Sequence, residues 1–90
     1  GCLIVAMATE VGTHDPDIAE RTGRMFLRLR QLYAQAIARG QANGNIAPRD
    51  PQVLAHFLVC QIQGMRVLGK TGVPEADMVA IVDTAMRILD

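Results

Sequence analysis

The chain lacks several residue types on which common classes of enzyme depend. It contains no serine and no tryptophan, and its aromatic residues are Phe26, Tyr33 and Phe57 alone. Serine nucleophiles are therefore excluded, and the two histidines, His14 and His56, lack the i,i+4 spacing of a helical metal-binding pair. We expect a non-enzymatic protein without metal or cofactor, with a core of aliphatic side chains.

The chain also lacks an excess of charge of either sign. Nine basic residues balance nine acidic residues, so the formal net charge is zero, and no run of lysine or arginine is present. Domains that bind nucleic acid usually carry a basic patch or stripe. Direct contact between these residues and DNA is therefore not expected.

Cysteine is scarce, and long apolar stretches are lacking. Cys2 and Cys60 have no metal-binding spacing and have apolar neighbours, so we expect the free, buried thiols of a cytoplasmic protein. No apolar stretch reaches the roughly 20 residues that span a bilayer, so a membrane is not an expected partner. The apolar opening, residues 1–5, has no basic region before it and does not resemble a signal peptide. Because it begins inside a helical pattern, we expect further sequence upstream.

The sequence predicts four helices and no strand within one small domain, residues 1–90. Asp15-Pro16 and Asp50-Pro51 each combine an N-cap oxygen with proline at the first helical position. Asn43-Gly44 and Thr71-Gly72 are typical helix ends. These signals indicate an all-α antiparallel bundle of about four helices, covering approximately residues 1–11, 16–43, 51–70 and 74–89.

The second predicted helix is amphipathic on one side only. At about 100° per residue, one face holds Ile18, Thr22, Met25, Phe26, Leu29, Leu32, Tyr33, Ala36 and Ile37. A row of arginines, Arg21, Arg24, Arg28 and Arg39, falls opposite. We interpret this row as a solvated face rather than a phosphate-binding site. Leu27 alone breaks the pattern.

The third and fourth predicted helices carry more apolar surface than one core can cover. In the third, only His56, Gln63 and Arg66 are reliably polar, and the apolar arc of the fourth spans roughly half the cylinder, whereas a core-facing helix needs an arc of only about 100°. We expect these helices to form an antiparallel pair whose remaining surface packs against a second copy, giving a two-fold four-helix interface. The alternative is that upstream helices cover this surface.

Small and polar residues help to locate the expected interface. Gly64 lies in the middle of a helix, where glycine lowers stability by about 0.5–1 kcal/mol relative to alanine. Close approach of another helix would offset this loss. The alternative is that the helix simply tolerates the glycine. Gln61 lies on the most apolar sector of its helix, where an unpartnered amide costs about 1–3 kcal/mol, so we expect it to bond a protein group, water or a ligand. The expected homodimer interface comprises Cys60, Gln63, Gly64, Val67, Met78, Ile81, Val82, Ala85, Met86 and Leu89.

Several short motifs occur in an order that resembles one known family. They are Gly1-Cys2-Leu3-Ile4-Val5, His14-Asp15-Pro16, Gly40-Gln41-Ala42-Asn43-Gly44-Asn45-Ile46, Asp50-Pro51, His56-Phe57-Leu58, Gln63-Gly64-Met65-Arg66-Val67-Leu68 and Thr71-Gly72. Each motif is weak alone, but the ordered set resembles the C-terminal half of TetR-type transcriptional regulators over nearly the whole chain.

The resemblance implies an effector-binding and dimerisation domain whose last two helices form the dimer interface. In that family a separate N-terminal helix-turn-helix domain binds operator DNA, and a small molecule in the C-terminal domain shifts its affinity. These residues contain no helix-turn-helix, so operator DNA is an expected partner only through that domain. The alternative is a helical oligomerisation module without a ligand. A small hydrophobic or amphipathic effector is expected to contact residues that core packing also explains, namely Met7, Phe26, Leu29, Tyr33, Phe57 and Gln61.

Overall fold

The computed structural model describes residues 15–90, which form three α-helices. These are α1 (Pro16–Ala42), α2 (Pro51–Gly69) and α3 (Glu75–Met86), followed by a 3-10 turn at Arg87–Leu89. No strand occurs between residues 15 and 90, so the predicted all-α fold and three of its helices are confirmed. The first predicted helix, together with Cys2 and Met7, lies outside the described residues. In the described part of the chain, no helix combines the length and apolar character needed to cross a membrane.

The two longer helices begin at the predicted caps. Asp15 Oδ1 accepts a hydrogen bond from the backbone N–H of Asp17 at 3.0 Å, and Asp50 Oδ1 accepts one from Gln52 at 2.9 Å. These bonds satisfy N–H groups that the first helical turn leaves unpaired. The shorter α3 has Pro74 at its N-cap and no side-chain cap. Its start is therefore held less firmly than those of α1 and α2.

The core lies between α1 and α2, which pack antiparallel. Ala34 and Ile37 of α1 are buried against Leu54 and Ala55 of α2, and Ala55 is fully buried. Alanine on both helices lets their backbones approach closely. Partly buried side chains surround this cluster, and all are aliphatic except the tyrosine: Tyr33, Ile46, Leu58, Ile88 and Leu89.

The tightest helix pair of the described residues is α1 with α2. The sequence predicted that α2 and α3 pack as an antiparallel pair that also covers α1; in the structure α2 packs chiefly against α1 and only loosely against α3. The reason is the length of the helices and the placement of their apolar residues. Helix α1 has 27 residues and a single apolar face that lies along α2, whereas α3 has only 12 residues. Ala85 is the one buried residue of α3.

The end of α3 is held by the connection between α1 and α2. The backbone N–H of Ala47 donates to the carbonyl oxygen of Leu89 at 3.0 Å, and Arg49 Nη1 donates to the carbonyl oxygen of Ile88. Gln41 Nε2 fixes the same connection by donating to the carbonyl oxygen of Ala47 at 3.0 Å. Thus α3 is anchored at its C-terminal turn while its middle packs loosely.

The described residues form a thin layer of helices with a large surface. It measures 44 × 32 × 13 Å along its principal axes, and a helix with its side chains is itself about 10–12 Å thick. The accessible surface is 6152 Å², against about 5,200 Å² for a typical folded monomer of this mass. Within residues 15–90, several large apolar side chains of α2 and α3 are exposed, including Val53, Phe57, Val67 and Val79.

Candidate functional site

An apolar cavity of about 270 Å³ lies where the three helices meet. We call it the three-helix cavity; it is lined by Tyr33, Leu58, Gln61, Ile62, Met65, Val82, Ala85 and Met86. The Tyr33 hydroxyl and the Gln61 amide are the polar groups among these side chains. Small-molecule sites are typically apolar with a few polar groups that fix the orientation of the ligand, and this cavity has that character.

A second concavity, the outer groove, lies on the other side of α3. It has a volume of about 460 Å³ and is lined by Phe57, Gln61, Ala80, Ile81, Thr84, Ala85 and Ile88. Gln61 and Ala85 line both the outer groove and the three-helix cavity. Therefore α3 has apolar space on both of its flanks, in agreement with its small contact with the rest of the domain.

An exposed apolar row runs along α2. Val53, Phe57, Cys60, Gly64 and Val67 follow one another at alternating spacings of four and three residues, the period of a seam between helices. We call this set the outer row. Val53 is 62% exposed, Phe57 44% and Val67 50%, and a Cβ added to Gly64 would meet nothing within 4 Å. On α3, Val79, Val82 and Met86 are also exposed.

Two residues of the outer row correct expectations from the sequence. Cys60 is a free thiol, as expected, but it is exposed and not buried. Its apolar neighbours indicated burial, whereas it lies at the edge of the contact between α1 and α2, where it lines an open concavity and stays exposed. Phe57 lies partly in the outer groove and is likewise too exposed to belong to the core of a single chain.

A third concavity, the α1–α2 cavity, has a different chemical character. It has a volume of about 380 Å³ and is lined by Gly23, Phe26, Leu27, Arg30, His56, Val59, Cys60 and Gln63. Within the described part of the chain, Arg30 Nε and Gln63 Oε1 are buried without a hydrogen-bond partner. Gln61 and Gln63 are two positions apart, hence about 200° apart around α2, so this cavity and the three-helix cavity open on opposite sides of the helix.

The effector residues predicted within the described part of the chain do not share one cavity. Tyr33 and Gln61 meet in the three-helix cavity, and Phe57 shares the outer groove with Gln61. Phe26 lines the α1–α2 cavity, and Leu29 lies in a shallow groove along α1. The structure therefore places three of the predicted residues, Tyr33, Phe57 and Gln61, beside side chains of α3, in two concavities that share Gln61.

The predicted interface residues divide by their exposure in the single chain. Cys60, Gly64, Val67, Val82 and Met86 are exposed; Met78, Ile81 and Leu89 are half-buried, Ala85 is buried, and Gln63 lies in the α1–α2 cavity. Their place at an interface stays a prediction.

Sequence reasoning missed Arg30. The solvated arginine row predicted for α1 did not include it, and no role was assigned to it. Arg30 lies four residues after Phe26 and four before the buried Ala34, so helical spacing alone places it on the inward side of α1. Among residues 15–90, no group of three His, Cys, Asp or Glu side chains is arranged to hold a metal ion.

Comparison with known proteins identifies the family. The family model described as "Tetracyclin repressor-like, C-terminal domain" matches residues 1–82. The chain is 29% identical over 89 residues to the HTH-type transcriptional repressor ComR of Escherichia coli (strain K12); the match covers 98% of this chain and 42% of that relative, so the chain spans less than half the relative's length. No solved structure matches the chain. The chain belongs to the tetracyclin repressor-like C-terminal domain family, which confirms its resemblance to TetR-type regulators.

Proposed function

We propose that this domain binds a small apolar or amphipathic effector and joins two copies of a TetR-type transcriptional repressor. The observation that carries the proposal is that the same side chains of α3 face both a cavity and the solvent. Val82 and Met86 line the three-helix cavity and also face solvent. An effector in the cavity and a partner on the surface would therefore contact the same short helix.

The outer row supports homodimerisation. Two copies of α2 related by a two-fold axis would interdigitate along this row, because its period is that of a helix–helix seam. Gly64 has no side chain and open space around it, so the two α2 helices would approach closely there. Exposed apolar side chains of α3 would complete a four-helix interface.

The loose packing of α3 supports coupling between effector and partner. The three-helix cavity, at about 270 Å³, is slightly smaller than the roughly 300–1,000 Å³ of typical ligand sites. A ligand would enlarge it by moving α3, which has few packing contacts to lose. The ligand would then favour whichever arrangement of α3 it binds better.

Regulation of DNA would act through another domain of the same protein. The relative in Escherichia coli is an HTH-type transcriptional repressor by name, and the zero net charge of this chain argues against operator contact by these residues. We infer a binding, non-catalytic role in the cytoplasm, where a regulator can reach its operator.

Solution mass tests the association. Light scattering over a dilution series is expected to show a dimer that dissociates on dilution. Phe57→Asp should yield a monomer, because it places a charge in the apolar seam. The matched variant Leu32→Asp, at an exposed apolar position of α1, should remain dimeric. A wild-type chain that is monomeric at every concentration would disprove the dimer.

Titration with N-phenyl-1-naphthylamine, a neutral apolar fluorophore, tests the effector site. The fluorophore is expected to bind the wild-type chain, and Val82→Phe should weaken binding by filling the three-helix cavity. Val79→Phe is the matched control, because Val79 is exposed on the same helix but does not line that cavity. Failure of the wild-type chain to bind would favour the alternative, an oligomerisation module without a ligand.

A further inference from the structure

The three concavities differ in the surface that they offer to a ligand. The α1–α2 cavity includes the charged side chain of Arg30, and the outer groove includes the hydroxyl group of Thr84. The three-helix cavity has no charged side chain among the described residues that line it, and six of its eight lining residues are aliphatic or methionine: Leu58, Ile62, Met65, Val82, Ala85 and Met86. It is the least polar of the three concavities.

The two polar side chains of the three-helix cavity expose almost no polar atom to it. Tyr33 and Gln61 line the cavity, yet nearly all of its surface is apolar, so they face it chiefly through carbon atoms. A hydrogen-bonding group of a ligand placed there would give up its bonds to water and would find no partner. Such a loss weakens binding roughly tenfold or more for each group. The cavity therefore selects against ligands that carry hydroxyl, amide or charged groups.

The size of the cavity sets the size of the ligand. An apolar cavity of about 150 Å³ in another protein stays dry and binds benzene, a single aromatic ring. The three-helix cavity measures about 270 Å³, so by proportion it accommodates two fused rings. The thioether side chains of Met65 and Met86 line it, and sulfur makes favourable contacts with aromatic rings. An aromatic molecule is therefore favoured over an alkane of the same volume.

We propose that the three-helix cavity takes a neutral aromatic molecule of about two fused rings without hydrogen-bonding groups, namely an aromatic hydrocarbon or a halogenated derivative of one. This proposal rests on the proposed effector site and narrows its ligand from apolar or amphipathic molecules to apolar molecules alone. The ligand is held by contact with aliphatic, methionine and aromatic-ring atoms. It is selected because the cavity offers no polar partner to its competitors.

The open side of the cavity determines which probes are informative. Val82 and Met86 line the cavity and are 39% and 49% exposed, so a ligand with one polar group could keep that group in water. A 1,5-disubstituted naphthalene carries its two groups at opposite ends. The nearly isosteric pair is 1,5-difluoronaphthalene, the difluoro probe, and 1,5-dihydroxynaphthalene, the dihydroxy probe. In either orientation, one hydroxyl group of the dihydroxy probe faces the apolar wall.

Fluorescence titration of the full chain measures both probes directly, because a chain without tryptophan leaves the emission of naphthalene unobscured. The difluoro probe is expected to bind with a Kd at least about tenfold below that of the dihydroxy probe, since the inward hydroxyl group of the latter is left without a partner. Val82→Phe should weaken binding of the difluoro probe and Val79→Phe should not, which would assign the probe to the three-helix cavity.

Isosteric variants separate selection by the cavity from the lower solubility of the difluoro probe in water, which alone would favour its binding. Val82→Thr keeps the shape of the side chain and adds a hydroxyl group to the cavity, so it should reduce the preference for the difluoro probe about threefold or more. Val79→Thr makes the same change on the same helix but outside the cavity, and it should leave the preference unchanged.

Three results would overturn the proposal in a chain that binds N-phenyl-1-naphthylamine, and each would leave the proposed effector site in place. They are no binding of the difluoro probe, equal or tighter binding of the dihydroxy probe, and a preference that Val82→Thr and Val79→Thr alter equally. If neither N-phenyl-1-naphthylamine nor either probe bound, the effector site itself would be disproved, and this proposal would fall with it.

Discussion

The α1–α2 pair and α3 contain similar aliphatic side chains but use them differently. The pair buries Ala34, Ile37, Leu54 and Ala55 in a common cluster, whereas α3 buries only Ala85. Aspartate caps begin both helices of the pair, and α3 has no side-chain cap. Most of the buried core therefore lies in the pair, and α3 is attached loosely, as a response to the proposed effector and partner would require.

The difference follows from how apolar residues are distributed around each helix. On α1 they form one face, so the helix has a single favourable orientation and lies along α2. On α3 they form a wide arc, so no single packing arrangement satisfies them all. Exposed Val79 and Met86 on α3 are the consequence. A helix with a wide arc is suited to exchange one apolar contact for another.

Truncating a side chain of the core should affect stability most. Ile37→Ala is expected to lower the free energy of unfolding by about 2–5 kcal/mol, because it leaves a cavity in the tightly packed pair. Ile81→Ala, at a half-buried position of α3, should cost less than half as much. Urea denaturation at a protein concentration below the dimer Kd measures both. Equal losses would remove the distinction between the pair and α3.

Removing a helix cap should have an intermediate effect. Asp50→Ala is expected to cost about 0.5–2 kcal/mol, since it leaves the Gln52 N–H at the start of α2 without its acceptor. Asp83→Ala, on the exposed side of α3, should change stability by no more than about 0.5 kcal/mol. The same denaturation experiment reports both values. If Asp83→Ala were the more destabilising, α3 would contribute more to stability than its packing indicates.

The sequence was sufficient to predict the local structure. The two Asp-Pro caps were located correctly, and the connections turn at Gly44 and Gly72, whose φ angles are 79° and 83°. Such positive values favour glycine, so these turns were readable from the residues alone. Helix starts and ends depend on short-range chemistry, which a single sequence contains.

The arrangement of the helices was not predictable in the same way. Leu54 and Phe57 fall in the same apolar sector of α2, yet Leu54 is buried and Phe57 is 44% exposed. Periodicity gives the direction of a side chain around its own helix, but it does not tell which neighbouring helix occupies that direction. For this reason the sequence did not indicate that Gln63 lines the α1–α2 cavity together with Arg30, and its predicted place at a dimer interface stays a prediction.

The smallest expected change in stability comes from Gly64→Ala, which tests whether a partner contacts α2 along the outer row. Gly64→Ala adds a methyl group that meets nothing within 4 Å in the single chain, so it should stabilise α2 by about 0.5–1 kcal/mol through helix propensity. In the proposed dimer, the same methyl group would hold the two α2 helices apart.

Gly64→Ala should therefore stabilise the monomer but weaken the dimer, and each effect has its own measurement. The free energy of unfolding of the dilute monomer should rise, while the dimer Kd from sedimentation equilibrium should also rise, meaning weaker association. Gly23→Ala provides the control, because Gly23 also has open space in a helix interior but lies on α1; it should stabilise the chain and leave the Kd unchanged. A dimer that tolerates Gly64→Ala would mean that the partner does not approach the outer row at this point, and the seam would then have to lie nearer to α3.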